Sequence, residues 1–118
     1  VQVMGDQLRI EQVMVNLLRN ALDATKSVNH PEVEIILAAG ETATLTVRDN
    51  GNGIENLDSL FEPFYTTKRP GDGVGLGLAI SSGIVNDLGG RLTARNGRDG
   101  GAVFEMQLPI LEGVEAAQ

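Results

Sequence analysis

Apolar residues recur at helical spacing in two segments of the chain. In the first, residues 7 to about 26, they repeat every three or four positions and predict one buried helix face, formed by Ile10, Val13, Met14, Leu17, Leu18, Ala21 and Leu22. Asp6 is placed to cap this helix. The second segment, residues 75–88, precedes Gly89 and Gly90, which are typical of a helix end. We therefore expect two main helices.

Four other segments have the apolar and β-branched pattern of strands. Residues 32–39 and 42–49 predict a hairpin that turns around Gly40. Residues 91–95 and 102–109 predict a second hairpin, which turns through "NGRDGG". The order of elements predicts an α+β fold, a two-layer sandwich in which a mostly antiparallel mixed sheet is covered on one face by helices.

The remaining segments are less regular. Residues 1–4 predict a short strand, and residues 56–74 predict a long loop with one short helix near residues 57–61. Residues 1–110 are expected to form a single domain, and residues 111–118 a flexible acidic tail.

Composition narrows the possible functions. The chain has 118 residues, no cysteine and a formal net charge of -7, and its nine Lys and Arg residues are scattered. These features exclude thiolate chemistry and disfavour a nucleic-acid-binding surface. The sequence has no apolar run of the roughly 18 residues that span a membrane. An anionic ligand could still bind through backbone N–H groups, a metal ion and local cations.

The first helix carries an unusual polar stripe. At about 100° per residue, Asn16, Asn20 and Asp23 fall on one narrow face together with Gln12. Asn and Asp are unfavourable inside helices because their short side chains compete for backbone hydrogen bonds. The stripe therefore indicates a site that needs short amide or carboxylate groups.

Two glycine-rich segments could contact a ligand. "GDGVGLGLAI", at residues 71–80, ends in a helix start, where free N–H groups and the helix dipole favour phosphate. It does not match the GxxxxGK[ST] or GxGxxG motifs. In "DNGNGIE", Asp49 follows a strand and could accept a hydrogen bond from the N6 amino group of adenine. Taken alone, each segment could also be an ordinary turn.

Taken together, five segments resemble the ATP-binding catalytic domain of sensor histidine kinases, within the GHKL superfamily of gyrase, heat-shock chaperone and mismatch-repair ATPases. "EQVMVNLLRNALDA" is similar to the asparagine box, "DNGNGI" and "GVGLGLAI" to the two glycine boxes, and "FEPFYTTK" to the phenylalanine box. "GGRLTARNGRDGGAVFEMQLP" resembles the closing hairpin. "NALDAT" and "FEPFYTTK" further resemble the nitrogen-regulation and dicarboxylate-transport sensor subgroup.

The resemblance implies a site for ATP and magnesium. It implies that Asn20 supplies a side-chain oxygen to magnesium, that Asp49 reads adenine, and that Lys68 meets the phosphates. Catalytic roles fall to Asn16, Asn20 and Lys68, and nucleotide contacts to Asn20, Asp23, Ala24, Asp49, Gly51, Gly53, Ile54, Thr66, Thr67, Lys68, Gly73, Val74, Gly75, Leu76, Gly77 and Leu78. In hydrolytic relatives a glutamate general base stands where this chain has Asn16, and an amide cannot serve as a base.

Four further expectations follow from the resemblance. Ala102 replaces the family's usual hydroxyl residue, so a backbone or water contact should support Asp49 instead. Phe61 and Phe64 should anchor a lid over the nucleotide, formed by residues 65–74. His30, the only histidine, should be a surface loop residue rather than the phosphoacceptor. An early strand of the family domain should be missing from residues 1–110.

The resemblance also implies partners and a location. The phosphoacceptor histidine should lie on a separate dimerisation domain of the same parent protein, with a response regulator downstream. The domain itself should be cytoplasmic and make no membrane or nucleic-acid contact, while the parent could be anchored in the inner membrane. Two alternatives remain at this point. One is another GHKL protein, a serine kinase or an ATPase, and the other is a degenerate nucleotide-binding scaffold.

Overall fold

The computed structural model describes residues 7–63 and 77–110. Its elements in chain order are α1 (Gln7–Ala24), β1 (Val33–Ala39), β2 (Thr42–Asp49), α2 (Gly77–Asp87), β3 (Arg91–Asn96) and β4 (Ala102–Pro109). Both predicted hairpins are present, β1–β2 and β3–β4. The predictions for residues 1–4, the Asp6 cap, the lid and the tail lie outside the described residues.

The four strands form one sheet in the order β1-β2-β4-β3. All three described pairings are antiparallel. Side chains alternate between the two faces of a strand, and the buried residues of β2 and β4, except Val103, lie on the face that α1 and α2 cover. The architecture is therefore the predicted α+β fold with helices on one face of an antiparallel sheet.

The core lies between the sheet and the two helices. α1 contributes Val13, Leu17 and Ala21, which are spaced four residues apart and are at most 3% exposed. The same face of the sheet contributes Leu45 and Val47 from β2 and Phe104, Met106 and Leu108 from β4. The opposite face of β2 and β4 is mostly polar, and Val103 is its one fully apolar buried side chain in these two strands.

Both helices end near their predicted positions, for identifiable reasons. α1 ends at Ala24 and a turn follows, in which the Thr25 hydroxyl donates to the carbonyls of Ala21 and Leu22 at 3.0 and 3.1 Å. α2 is followed by Gly89, which has a positive φ of 79°, and the Gly90 N–H donates to the Val85 carbonyl at 2.9 Å.

The predicted short helix near residues 57–61 is wrong. These residues form consecutive turns instead of a helix. The Asn56 side-chain oxygen accepts from the N–H groups of Asp58 and Ser59, at 3.1 and 3.3 Å. These are the N–H groups that would lie in the first turn of a helix beginning here. With Pro63 close behind, too few residues remain to propagate a helix after this first turn.

One edge of the sheet is unusually apolar. β1 lies at the edge, and its side chains Ile35, Ile36 and Leu37 are 49%, 46% and 75% exposed. Within residues 7–63 and 77–110, no other strand pairs with its outer edge. Neither described helix combines the length and the apolar character that crossing a membrane requires.

Candidate functional site

Asp49 ends β2 on the face that packs against the helices, and it is only 6% exposed. Its Oδ1 accepts hydrogen bonds from the backbone N–H groups of Gly51, at 2.8 Å, and Ala102, at 3.3 Å. The Ala102 bond is the backbone contact that was expected in place of a side-chain hydroxyl. Two donors therefore hold one oxygen of a buried carboxylate in a fixed position.

The second oxygen of Asp49 has a different environment. Oδ2 accepts no hydrogen bond from the described residues. No fully buried side-chain nitrogen or oxygen among these residues lacks a partner, so Oδ2 must reach solvent. Asp49 thus presents one fixed, unused acceptor at the surface of an otherwise buried site, which suits a ligand that carries an N–H donor.

Two glycines permit the close packing around Asp49. Gly51 lies directly against the carbonyl of Ala24 at the end of α1, where a Cβ would collide with that backbone. Gly101 has a φ of 75° and lies directly against the backbone of Asp49. A side chain at either position would push the carboxylate-bearing strand end away from its neighbours.

The loop after β2 is fixed to the β3–β4 hairpin by one side chain. Asn96, at the end of β3, accepts from the Ile54 N–H at 2.7 Å and donates to the Ile54 carbonyl at 3.2 Å. Gly53 lies beneath the same amide, where a Cβ would come within 2.9 Å of the Asn96 oxygen. Ile54 is partly buried against the core.

Asn16 connects the two helices. Its Nδ2 donates to the hydroxyl of Ser81 at 3.1 Å and to the carbonyl of Gly77 at 3.4 Å. Ser81 is fully buried, and Gly77 is the first residue of α2. Asn16 therefore holds the start of α2 against α1, a role that its position on the polar stripe did not reveal.

Asn20 and Asp23 lie on the same stripe with different surroundings. Asn20 is half-buried, and its amide has no hydrogen bond to the described part of the chain. Asp23 forms an ion pair with Lys26 at 3.3 Å, and its side chain is 27% exposed. Asn20 thus keeps its amide available for a ligand, whereas the Asp23 carboxylate already contacts a cation.

Several predicted site residues lie outside the described residues, namely Phe64, Thr66, Thr67, Lys68, Gly73, Val74, Gly75 and Leu76. Leu78, which was assigned to the nucleotide, packs partly buried against the core. Phe61 also packs partly buried against the core, while the lid that it was predicted to anchor lies outside the described residues. His30 is exposed in the loop before β1, which confirms the surface assignment.

The open face of the sheet carries a separate polar cleft of about 520 Å³. It includes the Arg48–Glu34 ion pair, 2.9 Å long, and Arg95. Among the predicted site residues that the structure describes, only Asp49 borders this cleft. No cluster of three acidic, histidine or cysteine side chains suitable for a metal occurs in the described ranges. A metal ion bound to the described residues would therefore need further ligands, such as phosphate and water.

Sequence reasoning missed Asn96, Gly101 and Ser81. The partners of Asn96 and Ser81 lie 42 and 65 residues away in sequence, so no local pattern identifies them. For Gly101 a signal was available, since "GG" directly before a strand of the closing hairpin indicates a backbone that needs positive φ.

Comparison with known proteins agrees with this geometry. Residues 5–112 match the family described as "Histidine kinase-, DNA gyrase B-, and HSP90-like ATPase". The C4-dicarboxylate transport sensor protein DctB of Pseudomonas aeruginosa is 42% identical over 97% of this chain and 19% of its own length.

Solved structures give the same result. A mycobacterial sensor histidine kinase, MprB, superposes with a TM-score of 0.79 at 29% identity, over 91% of this chain and 76% of that one. Full-length ShkA in complex with AMPPNP gives 0.75 at 29% identity, over 91% of this chain and 22% of that one.

The curated relatives are longer proteins, and the chain spans less than a quarter of the length of DctB and of the two-component sensor PprA from the same organism. The match nevertheless covers nearly the whole of this chain and includes both helices and all four strands of its described part. The chain belongs to the histidine kinase-, gyrase B- and HSP90-like ATPase family, as the ATP-binding catalytic domain of a two-component sensor histidine kinase.

Proposed function

We propose that this domain holds magnesium–ATP and presents its γ-phosphate to a histidine on a separate dimerisation domain of the same parent protein. The observation that carries the proposal is Asp49, a buried carboxylate with one oxygen fixed by two N–H groups and the other unused. ATP is the ligand class of the family, and AMPPNP, an ATP analogue, is bound in ShkA.

Asp49 is suited to select adenine. The N6 amino group of adenine donates a hydrogen bond, which Oδ2 can accept, whereas guanine carries an acceptor oxygen at the corresponding position. A carboxylate facing that oxygen would be left buried and unpaired, which is costly. Gly51, Gly53 and Ile54 follow Asp49 in the same loop, and in this proposal they would form the adjoining wall of the base pocket.

The chemistry of Asn20 fits a magnesium ligand. Magnesium prefers hard oxygen ligands and keeps several waters, so a single protein oxygen beside phosphate oxygens is sufficient. The half-buried amide of Asn20 has no other hydrogen bond among the described residues, and it adds no negative charge beside a triphosphate. When bound, magnesium would neutralise charge on the phosphates. Asn20 would orient the nucleotide through that ion.

Asn16 supports transfer to a protein rather than to water. Its nitrogen is engaged with Ser81 and Gly77, and an amide cannot take a proton from water in any case. The site therefore lacks a base at this position. In the proposed reaction a histidine ring nitrogen attacks the γ-phosphorus, the bond to the β–γ bridging oxygen breaks, and ADP leaves with those electrons.

The phosphate contacts remain part of the proposal. Lys68 would contribute a cation, and Gly73, Gly75 and Gly77 would present backbone N–H groups to the triphosphate. The position of Gly77 at the N-terminus of α2 supports this assignment, because the first N–H groups of a helix have no partners within it. Thr66, Thr67, Val74 and Leu76 would complete this wall, and Ala24 and Asp23 would close the end nearest α1.

In this proposal the domain works in the cytoplasm, and the phosphoryl group is later transferred to a response regulator. His30 does not serve as the acceptor, since it lies in an exposed loop whose carbonyl accepts from Asn50 at 2.8 Å. Sensor relatives such as DctB are named for the signal or process that they serve. The acceptor histidine would belong to another part of the parent.

Replacing Asn20 with Ala should abolish the gain in ATP affinity that magnesium provides while adenosine binding stays unchanged. The amide is assigned to the metal and phosphates, so its loss should not affect the base. Isothermal titration calorimetry with adenosine, and with ATP in the presence of magnesium or of a chelator, measures both effects.

Asn29→Ala is a matched control for this variant, because Asn29 is an exposed loop residue and the chemical change is the same. It should leave all three affinities at the wild-type values. Equal losses of adenosine and ATP binding in Asn20→Ala would instead indicate a packing defect and would contradict the metal assignment.

We also propose that a strand from elsewhere in the parent pairs with the outer edge of β1. An apolar edge that exposes Ile35, Ile36 and Leu37 is a surface that soluble domains usually cover. In a longer piece of the parent, hydrogen exchange of the outward-facing amides of β1 should slow, while those of β3, the other edge strand, stay fast. Unchanged fast exchange in β1 would argue against such a strand.

A further inference from the structure

Two residues that pair across the β3–β4 hairpin each form hydrogen bonds to one part of the proposed base site. Asn96 and Ala102 are the terminal pair of the β3–β4 register. The Ala102 N–H donates to Oδ1 of Asp49 at 3.3 Å, and the Asn96 amide makes two hydrogen bonds to the backbone of Ile54. The hairpin end therefore contacts both the carboxylate and the loop that follows it.

The Asn96 side chain makes the pair of hydrogen bonds to Ile54 that the backbone of a neighbouring strand would make. Oδ1 accepts from the Ile54 N–H at 2.7 Å, and Nδ2 donates to the carbonyl of the same residue at 3.2 Å. The loop otherwise consists of turns and irregular backbone between Asp49 and the turn at residues 57–61. A single amide thus satisfies both backbone groups of Ile54 and fixes the loop laterally.

The surrounding glycines leave this contact little freedom. Gly53 packs beneath the Asn96 oxygen, and Gly101 packs against the backbone of Asp49. The same hairpin end consequently fixes the position of the Asp49 carboxylate and that of the loop after β2, residues 50–56, which we call the base loop. A shift of the loop relative to Asp49 would change the distance between Ile54 and the carboxylate, the two groups between which the proposed base would lie.

We propose that Asn96 is a positioning residue that fixes the base loop at the distance from Asp49 that adenine requires. This inference rests on the proposed function, because it assumes that the base lies between Ile54 and Asp49. Asn96 acts through Ile54 and need not touch the nucleotide. Its loss should weaken binding of the base and leave binding of the phosphates intact.

The test compares adenosine, ATP and inorganic tripolyphosphate with the 118-residue chain, by calorimetry in the presence of magnesium. Asn96→Ala should reduce the affinity for adenosine and for ATP by the same factor, on the order of tenfold for two lost hydrogen bonds. Tripolyphosphate affinity should not change. A residue that only stabilised the fold would lower the unfolding temperature without this separation of base from phosphate.

Asn96→Asp gives a second measurement in case the alanine variant folds poorly. The carboxylate can still accept from the Ile54 N–H, but it cannot donate to the carbonyl and repels it. Adenosine affinity should therefore fall in this variant too, again without a change for tripolyphosphate.

The matched control is Gln107→Ala. Gln107 lies in the same hairpin, paired with Arg91 in the β3–β4 register, and its side-chain amide donates to the Glu105 carboxylate at 2.8 Å. Asn96 and Ala102 are at the opposite end of this register, so the loss of the Gln107 amide should spare the ratio of adenosine affinity to tripolyphosphate affinity, whatever its effect on the unfolding temperature.

The outcomes separate this inference from the proposed function. Wild-type chain that binds no adenosine would overturn both. Wild-type chain that binds adenosine, together with folded Asn96 variants of unchanged adenosine affinity, would overturn only the positioning role of Asn96. A loss of tripolyphosphate affinity equal to that of adenosine would also overturn it.

Discussion

Replacing Asp49 with Asn is expected to weaken ATP binding by about 1–3 kcal/mol, roughly 5- to 150-fold in affinity. The amide oxygen of the new side chain would take over the two hydrogen bonds from Gly51 and Ala102, because both are donors. Its NH₂ group would then replace Oδ2 and face the N6 amino group of adenine, donor against donor. Calorimetry with ATP measures the loss.

The same rearrangement predicts a change of base preference. Inosine triphosphate carries an oxygen where ATP carries the N6 amino group, so it should repel Asp49 but accept a hydrogen bond from the asparagine. The ratio of ATP to inosine triphosphate affinity should therefore fall sharply in Asp49→Asn. A simple loss of stability would lower both affinities and leave the ratio unchanged.

Asp99→Asn is the matched control for this experiment, because Asp99 is exposed in the β3–β4 turn and undergoes the same loss of charge. It should keep both the affinity and the ratio of the wild type. A folded Asp49→Asn variant with wild-type ATP affinity would remove Asp49 from the base pocket.

Much of the fold was predictable because its local patterns are strong. β2 and β4 alternate between a buried and a polar face, and glycines mark the turn of one hairpin and the end of α2. The predicted bounds of β4 agree with the structure, residues 102–109. α1 was predicted two residues too long. Thr25, the first residue after the helix, turns its hydroxyl back to the Ala21 carbonyl, and the spacing of apolar residues does not reveal this local bond.

The candidate site was predictable only in part. Asp49 was a candidate because its carboxylate follows a strand and precedes two closely spaced glycines, a pattern that also fits an ordinary turn; its burial is known only from the structure. The polar stripe located Asn16 and Asn20 but could not distinguish them. The structure does so through hydrogen bonds: Asn16 donates to Ser81 and Gly77, whereas Asn20 has no hydrogen bond to the described residues. Such long-range partners depend on how the helices pack, which no local pattern specifies.

The 118-residue chain alone is expected to bind magnesium–ATP without phosphorylating itself. Phosphoryl transfer needs a nucleophile held in line with the γ-phosphorus, so a filled nucleotide site is not sufficient. The only histidine is His30, and its loop is tied to the end of β2 through Asn50. Incubation with γ-labelled ATP should therefore leave the chain unlabelled.

The chain should also release phosphate from ATP only slowly, because Asn16 stands where hydrolytic relatives keep a base and its amide is bonded to Ser81 and Gly77. Adding the dimerisation domain of the parent should produce label on a histidine outside these 118 residues. His30→Gln is the internal control and should not reduce that label. Stoichiometric label on His30, or fast phosphate release from the chain alone, would contradict the proposed transfer to a histidine on a separate domain.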